Sequence, residues 1–399
     1  MAVLSDMQVL ISGAGIAGLS AAKFLAEAGW VVTVVERATF RRTEGYMLDF
    51  FGPGFDAAET MGILPRLREL AYSVDEVEYV NAAGKRTGAI SYDRFAATLG
   101  GRLLSLMRPD LETAIHDSLP RDVNFRWGTE IDTITQEPDQ VTAGLSDGST
   151  VRADLLIGAD GIHSSTRAAL FGPEEQFLRY LGLHTAAFVI ADPGLRADLG
   201  RRFLMTDSIG RAMGLYGVRG DDVAVFTVHQ APDAALPADP RAALRRELAG
   251  LGALAPRALD RCPPLVYYDA VAQIEMPLWH DGRVVLLGDA CQAVSLLAGQ
   301  GASLAMAGAQ LLAEELGQGE LSSDELGRAL RNYETRWRPV VLDRQAAGRR
   351  TAHWFLPRNR VELILRRITL RAIGLPWLNR LFGGALTGKS GPARSTADS

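Results

Sequence analysis

Three glycines and an acid near the amino terminus carry the first readable chemistry. Gly13-Ala14-Gly15-Ile16-Ala17-Gly18 is a glycine–x–glycine–x–x–glycine turn, and Glu36 follows 18 positions after Gly18. That set can hold a dinucleotide. The first glycine allows a tight turn, the second lets backbone approach a pyrophosphate, and the third lets helix and strand pack closely. A helix opening at Ile16 and Ala17 offers its unpaired N–H groups to the phosphates. Glu36 can accept hydrogen bonds from a ribose diol, which argues for FAD or NAD rather than NADP as the bound nucleotide. Arg37 either flanks the adenine or is a solvated surface arginine. These residues alone leave FAD and NAD both open.

Two distant segments repeat the theme. Asp154-Leu-Leu-Ile-Gly-Ala-Asp160-Gly161-Ile-His-Ser-Ser-Thr-Arg167 and Gly282-Arg-Val-Val-Leu-Leu-Gly288-Asp289-Ala290 each deliver an acid and a glycine from an apolar run into a turn. A second acid at a nucleotide crevice suits a longer polyhydroxylated ligand. Ala298-Gly299-Gln300-Gly301 can bring backbone N–H groups against a flat ring at a helix amino terminus, where developing negative charge is favoured.

The elements that must position these groups follow from patterning. Residues 7–12 read as a buried strand, about Ile16–Ala28 as a helix, and Val31–Glu36 as a β-branched strand covered on both faces. Strand, helix and parallel strand within about thirty residues make a βαβ unit. Residues 37–70 show no regular pattern, 74–106 read as strands of a meander, and a helix is expected near 109–118. Hairpin strands are expected at 123–127, 130–135, 141–145 and 150–152, with Asp147-Gly148 as a turn signal. Residues 175–275 alternate as strands with one helix, about Pro240–Ala249, and read as an inserted sheet. Val284–Gly288 is a last buried strand before a helix near Gly301.

With these motifs in place, the chain resembles the group A FAD monooxygenases, which share the p-hydroxybenzoate hydroxylase fold. The resemblance covers about residues 7–340, and Gly45-Tyr-Met-Leu-Asp49 is most similar to the tetracycline-inactivating and polyketide-tailoring branches. It implies an α/β fold: a Rossmann-like FAD-binding domain (1–72, 101–174 and 271–340), an inserted β-sheet substrate domain (73–100 and 175–270) and carboxyl-terminal helices with a polar tail (341–399). It implies that Arg108 contacts the flavin and that Asp289 binds its ribityl or pyrophosphate part. The Gly299–Gly301 loop would face the ring, and Asp160 would serve both flavin and nicotinamide nucleotide. NAD(P)H would reduce FAD, O₂ would add at the flavin C4a, and one oxygen atom would pass to the substrate. This chemistry needs no Ser-His-Asp, metal or paired-carboxylate constellation from the chain. Arg41 and Arg42 are candidates for NADPH phosphates, with solvated side chains as the alternative.

The chain departs from that family where most members have histidine, proline and asparagine; here stand Gln292, Ser295 with Leu296, and Ser303. The missing proline carbonyl argues against a small phenol as substrate. Ser295, Leu296 and Leu297 then suggest an apolar wall for a bulky, polycyclic or lipophilic molecule, the other reading of the leucines being core packing. Two rivals stay open: a flavoprotein of the same fold that inserts no oxygen, and a non-catalytic FAD protein that sequesters a ligand.

Composition narrows the rest. The 399 residues carry 47% hydrophobic and 22% charged side chains and a formal charge of −5, a globular enzyme with no general reason to bind nucleic acid. Cys262 and Cys291 are too few for a disulfide framework, and no histidines pair at metal-ligand spacing, so no metal is expected. The amino terminus lacks the basic start of a signal peptide, and a cytoplasmic location is expected. Residues 344–380 hold nine arginines against Glu362 alone, leaving −13 for the rest of the chain. Val361, Ile364, Leu365, Ile368 and Ala372 fall on one helical face, with Arg366, Arg367 and Arg371 off it and Pro376 as a stop. The favoured reading is a helix docked on an acidic body; the alternative is contact with an anionic membrane, aided by Trp377 and Phe382.

Overall fold

The computed structural model describes residues 7–41 and 45–373. Six strands form one sheet in the order His280–Asp281, Val284–Leu286, Leu155–Gly158, Gln8–Ser12, Val31–Glu36 and Asn124–Trp127. All neighbours are parallel except the first pair. The three apolar runs singled out in the sequence therefore lie side by side, with Val9 paired to Leu155 and to Val32, and Leu156 to Val284. Parallel neighbours end at the same edge, so three turns separated by over a hundred residues open into one crevice. Leu10, Ile11, Leu155, Ile157, Val284 and Val285 are buried because helices and a small hairpin sheet cover the two faces.

A second, seven-stranded sheet runs Tyr267–Ile274, Leu178–Ala191, Asp222–Gln230, Arg211–Gly217, Arg202–Ser208, Glu76–Val80 and Arg86–Ser91. Only the pair Arg202–Ser208 with Glu76–Val80 is parallel. Alternation splits its side chains: Ala186, Phe188, Met213 and Leu215 pack under helices, while Thr185, Phe203, Met205 and Phe226 face a cavity.

Three short helices cover that outer face, Pro193–Leu199, Pro240–Glu247 and Leu254–Asp260, where the sequence reading expected one. The first two start alike. Asp192 and Asp239 each precede proline and accept a hydrogen bond at 3.0 Å from a backbone N–H three residues on. Seven-residue helices are too short to show a period against the surrounding strand pattern. The same reason hid the helix Tyr92–Thr98 within the expected meander. In the stretch read as irregular, Met47–Phe50 is a strand paired with Leu104–Met107, and Pro53–Thr60 and Leu64–Leu70 are helices.

Helix Ser323–Phe355 opens with a reciprocal cap between Ser322 and Glu325. Helix Arg360–Ile373 follows, and it is docked by the side opposite to its apolar stripe. Arg366 is buried, pairs with buried Asp207 and lies over the Tyr79 ring at 5.4 Å, and Arg367 approaches the same carboxylate at 3.6 Å. Val361, Ile364, Leu365 and Ile368 are exposed. Two arginines thus meet an acid of the body, while the apolar stripe faces outward. A buried carboxylate outweighs the stripe because it would be costly without a cation. Pro376, Trp377 and Phe382 lie outside the described residues. No described helix is long and apolar enough to cross a membrane.

Candidate active site

Gly13 leaves its strand at φ 102° and donates its N–H to the Val35 carbonyl at 2.8 Å. Glu36 fixes the turn from the neighbouring strand. Its carboxylate accepts N–H bonds from Ala14 and Ala38, both at 2.9 Å. A Cβ added at Gly18 would lie 1.9 Å from the Gly13 carbonyl oxygen, so that glycine serves packing and does not line the cavity. A Cβ at Gly15 would meet nothing nearer than Arg108 Nη2 at 3.8 Å and Glu112 at 4.0 Å. Space is left there in front of the helix amino terminus at Ile16, as a pyrophosphate requires.

The Asp-Gly segment touches that turn: a Cβ on Gly13 would lie 2.5 Å from the Ala159 carbonyl oxygen. Asp160 is committed to its own loop, accepting from the Ser164 hydroxyl at 2.5 Å, the Ser165 hydroxyl at 3.1 Å, and the Thr166 N–H and hydroxyl at 2.9 Å each. Gly161, at φ 86°, then turns the chain along the cavity. Arg167, read only as the end of a motif, is fully buried and ties the loop to the next segment. It donates to the Ala290 carbonyl at 2.8 Å, the Ile162 carbonyl at 2.7 Å and Glu174 at 2.8 Å. His163 is held between Glu174 at 3.0 Å and Asp269 at 3.2 Å, with its outer side open to solvent.

Gly288 turns at φ 65°, and a Cβ there would lie 2.6 Å from that of Ala17, so this glycine lets the first helix approach the last strand. Asp289 projects into the cavity, open to it yet surrounded by protein; burial raises its pKa against the pull of Arg108. Arg108, at the start of helix Arg108–Asp117, pairs with Glu112 at 3.0 Å and donates its backbone N–H to the Tyr46 carbonyl at 3.0 Å. Gly299 is left-handed at φ 65°, and Gly301 opens helix Gly301–Leu316. Gln300 is buried and does not line the cavity. Ser295 takes φ 84° without being glycine, a backbone strain at the place where family members carry proline. Ser303 locks helix Pro53–Thr60 to this segment by accepting the Gly54 N–H at 2.8 Å.

One cavity of about 730 Å³ gathers these groups. Gly13, Gly15, Ile16, Ala17, Glu36, Arg37, Arg108, Asp160, Gly161, Asp289, Gly299 and Gly301 line one part, with Ser295, Leu296 and Leu297 continuing the wall. Gly18, Gly288 and Gln300 support it from behind. Arg41 lies at its rim and reaches Asp117 at 3.6 Å, and Arg42 is outside the described residues. Sequence reasoning missed the far part, where Tyr79, Phe203, Met205, Tyr216 and Phe226 meet from four strands and Tyr46 packs on Tyr267 at 5.7 Å. Burial pushes the Tyr46 phenol up to about 12, keeping it a neutral donor. The usable signal was the two-residue alternation of those strands, which gives shared faces but not what they face.

Comparison with known proteins agrees with this geometry. The FAD binding domain family model matches residues 6–343. An uncharacterised protein of Mycobacterium tuberculosis is 31% identical over 91% of this chain and 99% of its own length. The FAD-dependent monooxygenase asL4 of Sarocladium schorii is 27% identical over 94% of each chain. Among solved structures, tetracycline destructase Tet(55) superposes with a TM-score of 0.79 at 25% identity, covering 98% of this chain and 99% of that one. An open pyrophosphate cradle, a cavity-facing aspartate and a neighbouring arginine fit FAD, and this chain belongs to the FAD binding domain family as an FAD-dependent monooxygenase with the p-hydroxybenzoate hydroxylase fold.

Proposed function

We propose that the protein uses NAD(P)H and O₂ to hydroxylate or epoxidise a bulky, polycyclic or otherwise lipophilic small molecule, in natural-product tailoring or antibiotic modification. The observation that carries this reading is the continuity of the cavity, from the phosphate turn of the six-stranded sheet to an aromatic chamber on the seven-stranded one. Bound FAD supplies the electron transfer and the activation of O₂. The chain supplies position and dryness. The Gly13–Gly15 turn and the helix amino terminus would hold the pyrophosphate, Glu36 the adenosine ribose with Arg37 near the adenine, and Asp289 with Arg108 the ribityl part. Leu296, Leu297 and the loop Gly299–Gly301 would flank the ring. Phe203, Met205 and Phe226 exclude water from the reacting face. The names of relatives support the class: asL4 is a monooxygenase, and Tet(51) and Tet(55) are tetracycline destructases.

The test is direct. Purified protein should be yellow, and NADPH or NADH oxidation should accelerate on adding a polycyclic substrate. Product mass should rise by one oxygen, labelled when the gas is ¹⁸O₂. Full conversion without label would favour a non-oxygenating flavoprotein, the reading that the departures at Gln292, Ser295 and Ser303 support. Ligand binding with no reductant consumed would favour a sequestering protein. Colourless protein that refuses added FAD would end all three.

A further inference from the structure

The cavity is charged unevenly. Its described lining holds four cationic or titratable basic side chains: Arg37, Arg41, Arg108 and His163. The first two follow the strand Val31–Glu36, Arg108 stands beside Gly15, and His163 is already ion-paired. None of them comes from the strands that wall the aromatic chamber. Two acids do stand there: Asp269, on strand Tyr267–Ile274, is already answered by His163 at 3.2 Å, and Asp49 is not. Along Met47–Phe50 the side chains alternate: Leu48 and Phe50 are buried in the core, Leu48 at its edge with the cavity, while Met47 and Asp49 are half-buried and line the cavity.

Asp49 is held as though one of its oxygens were reserved. The hydroxyls of Tyr92 and Ser105 both donate to Oδ1, the latter at 3.1 Å, and Oδ2 accepts from no described residue. Tyr92 and Ser105 also meet each other at 2.5 Å, so Oδ1 and the carboxyl plane are fixed from behind. Burial raises the carboxyl to about 6, countered by the Ser105 hydroxyl; among the described residues no arginine or lysine compensates it. A carboxylate in an apolar wall without a cation is costly until a donor reaches it.

We infer that Asp49 is the specificity-determining acceptor of the chamber, so that the enzyme selects polycyclic molecules presenting an ammonium or hydroxyl group at one edge and rejects those presenting a carboxylate. A cationic donor makes the stronger, charge-assisted bond to Oδ2; a hydroxyl makes a weaker one; an anion meets like charge with no arginine among the described residues lining this wall to offset it. The inference rests on the proposed function only in taking this chamber as the place where substrate binds.

Three probes on one three-ring frame test it: 9-(aminomethyl)anthracene, 9-anthracenemethanol and 9-anthracenecarboxylate. Each is titrated into the FAD-loaded protein at pH 7.5, following perturbation of the flavin spectrum. The amine should bind at least about tenfold more tightly than the carboxylate, the difference one charge-assisted hydrogen bond makes, with the alcohol between them. Asp49→Asn, which can still accept from Tyr92 and Ser105, should collapse the amine-to-carboxylate ratio to within about threefold at unchanged FAD content, while Tyr92→Phe should keep the preference. The wild-type ratio needs no variant, so it stands even if Asp49→Asn fails to fold. Carboxylate binding as tight as the amine would overturn the inference, as would a full preference surviving in Asp49→Asn. Yellow protein that binds none of the three overturns it too, and with it the polycyclic reading; colourless protein instead strikes the flavoprotein reading on which both rest.

Discussion

Gly15 and Gly18 have the same residue type three positions apart and opposite reasons for it. At Gly18 an added Cβ collides with the Gly13 carbonyl oxygen at 1.9 Å, a backbone atom that cannot yield without opening the turn. At Gly15 the protein leaves room, and only an approaching pyrophosphate needs the space. Gly18→Ala is therefore expected to lower the melting temperature and lose flavin together. Gly15→Ala should melt like wild-type apoprotein yet bind FAD at least about tenfold more weakly, since one lost phosphate contact with a helix amino terminus is a charge-assisted bond. Calorimetry of both apoproteins and titration with FAD separate the two. Equal FAD affinity in Gly15→Ala and wild type would show that nothing charged approaches this turn.

At the scale of elements, two polar clamps hold the cavity's walls. His163 joins the Asp-Gly loop to strand Tyr267–Ile274 and to Glu174. Hydrogen bonding to Asp269 first, and to Glu174, outweighs burial and raises its pKa from 6.5 to about 9. Because the folded value is raised, its stabilising contribution is whole below about pH 6.5 and fades as pH rises through about 9. The ring is 47% exposed, so screening keeps the effect modest. His163→Gln should thus melt below wild type at pH 6 and nearly with it at pH 10; a gap that stays constant across that range would rule out the charged clamp. The second clamp is buried. Asp207, with a side chain 2% exposed, answers Arg366 at 5%. Asp207→Ala removes the buried carboxylate that Arg366 and Arg367 approach and should cost roughly 3 kcal/mol in the docking of helix Arg360–Ile373. Hydrogen exchange in that helix should accelerate by about a hundredfold, and unchanged protection would show that the pair holds nothing.

For the whole molecule, the cavity lies where two sheets meet, and its walls come from segments between Ser12 and Ala305. A cofactor that fits such a seam binds the folded chain and not the unfolded one. Adding FAD to a hundredfold excess over its dissociation constant should therefore stabilise the protein by about 2.7 kcal/mol, seen as a concentration-dependent rise in melting temperature. Apoprotein and holoprotein that melt alike at every FAD concentration would contradict a site built from both sheets.

Adjacent residues settled much of this in advance. The glycine turn, the Asp-Gly loop and the Gly-Asp turn were legible because a tight turn, a left-handed glycine and a strand buried on both faces are set by neighbours in the chain, and their shared edge follows from parallel pairing. The chamber was not legible. Phe203, Met205, Tyr216 and Phe226 are ordinary strand residues until the register of seven strands brings them opposite Leu296 and Leu297, and Asp49 is an ordinary acid until Tyr92 and Ser105 close on one of its oxygens. The last helix shows the limit most plainly. Its period announced which residues share a face, but which face docks was decided by Asp207, more than 150 residues earlier, since a buried charge needs its partner more than four apolar side chains need cover.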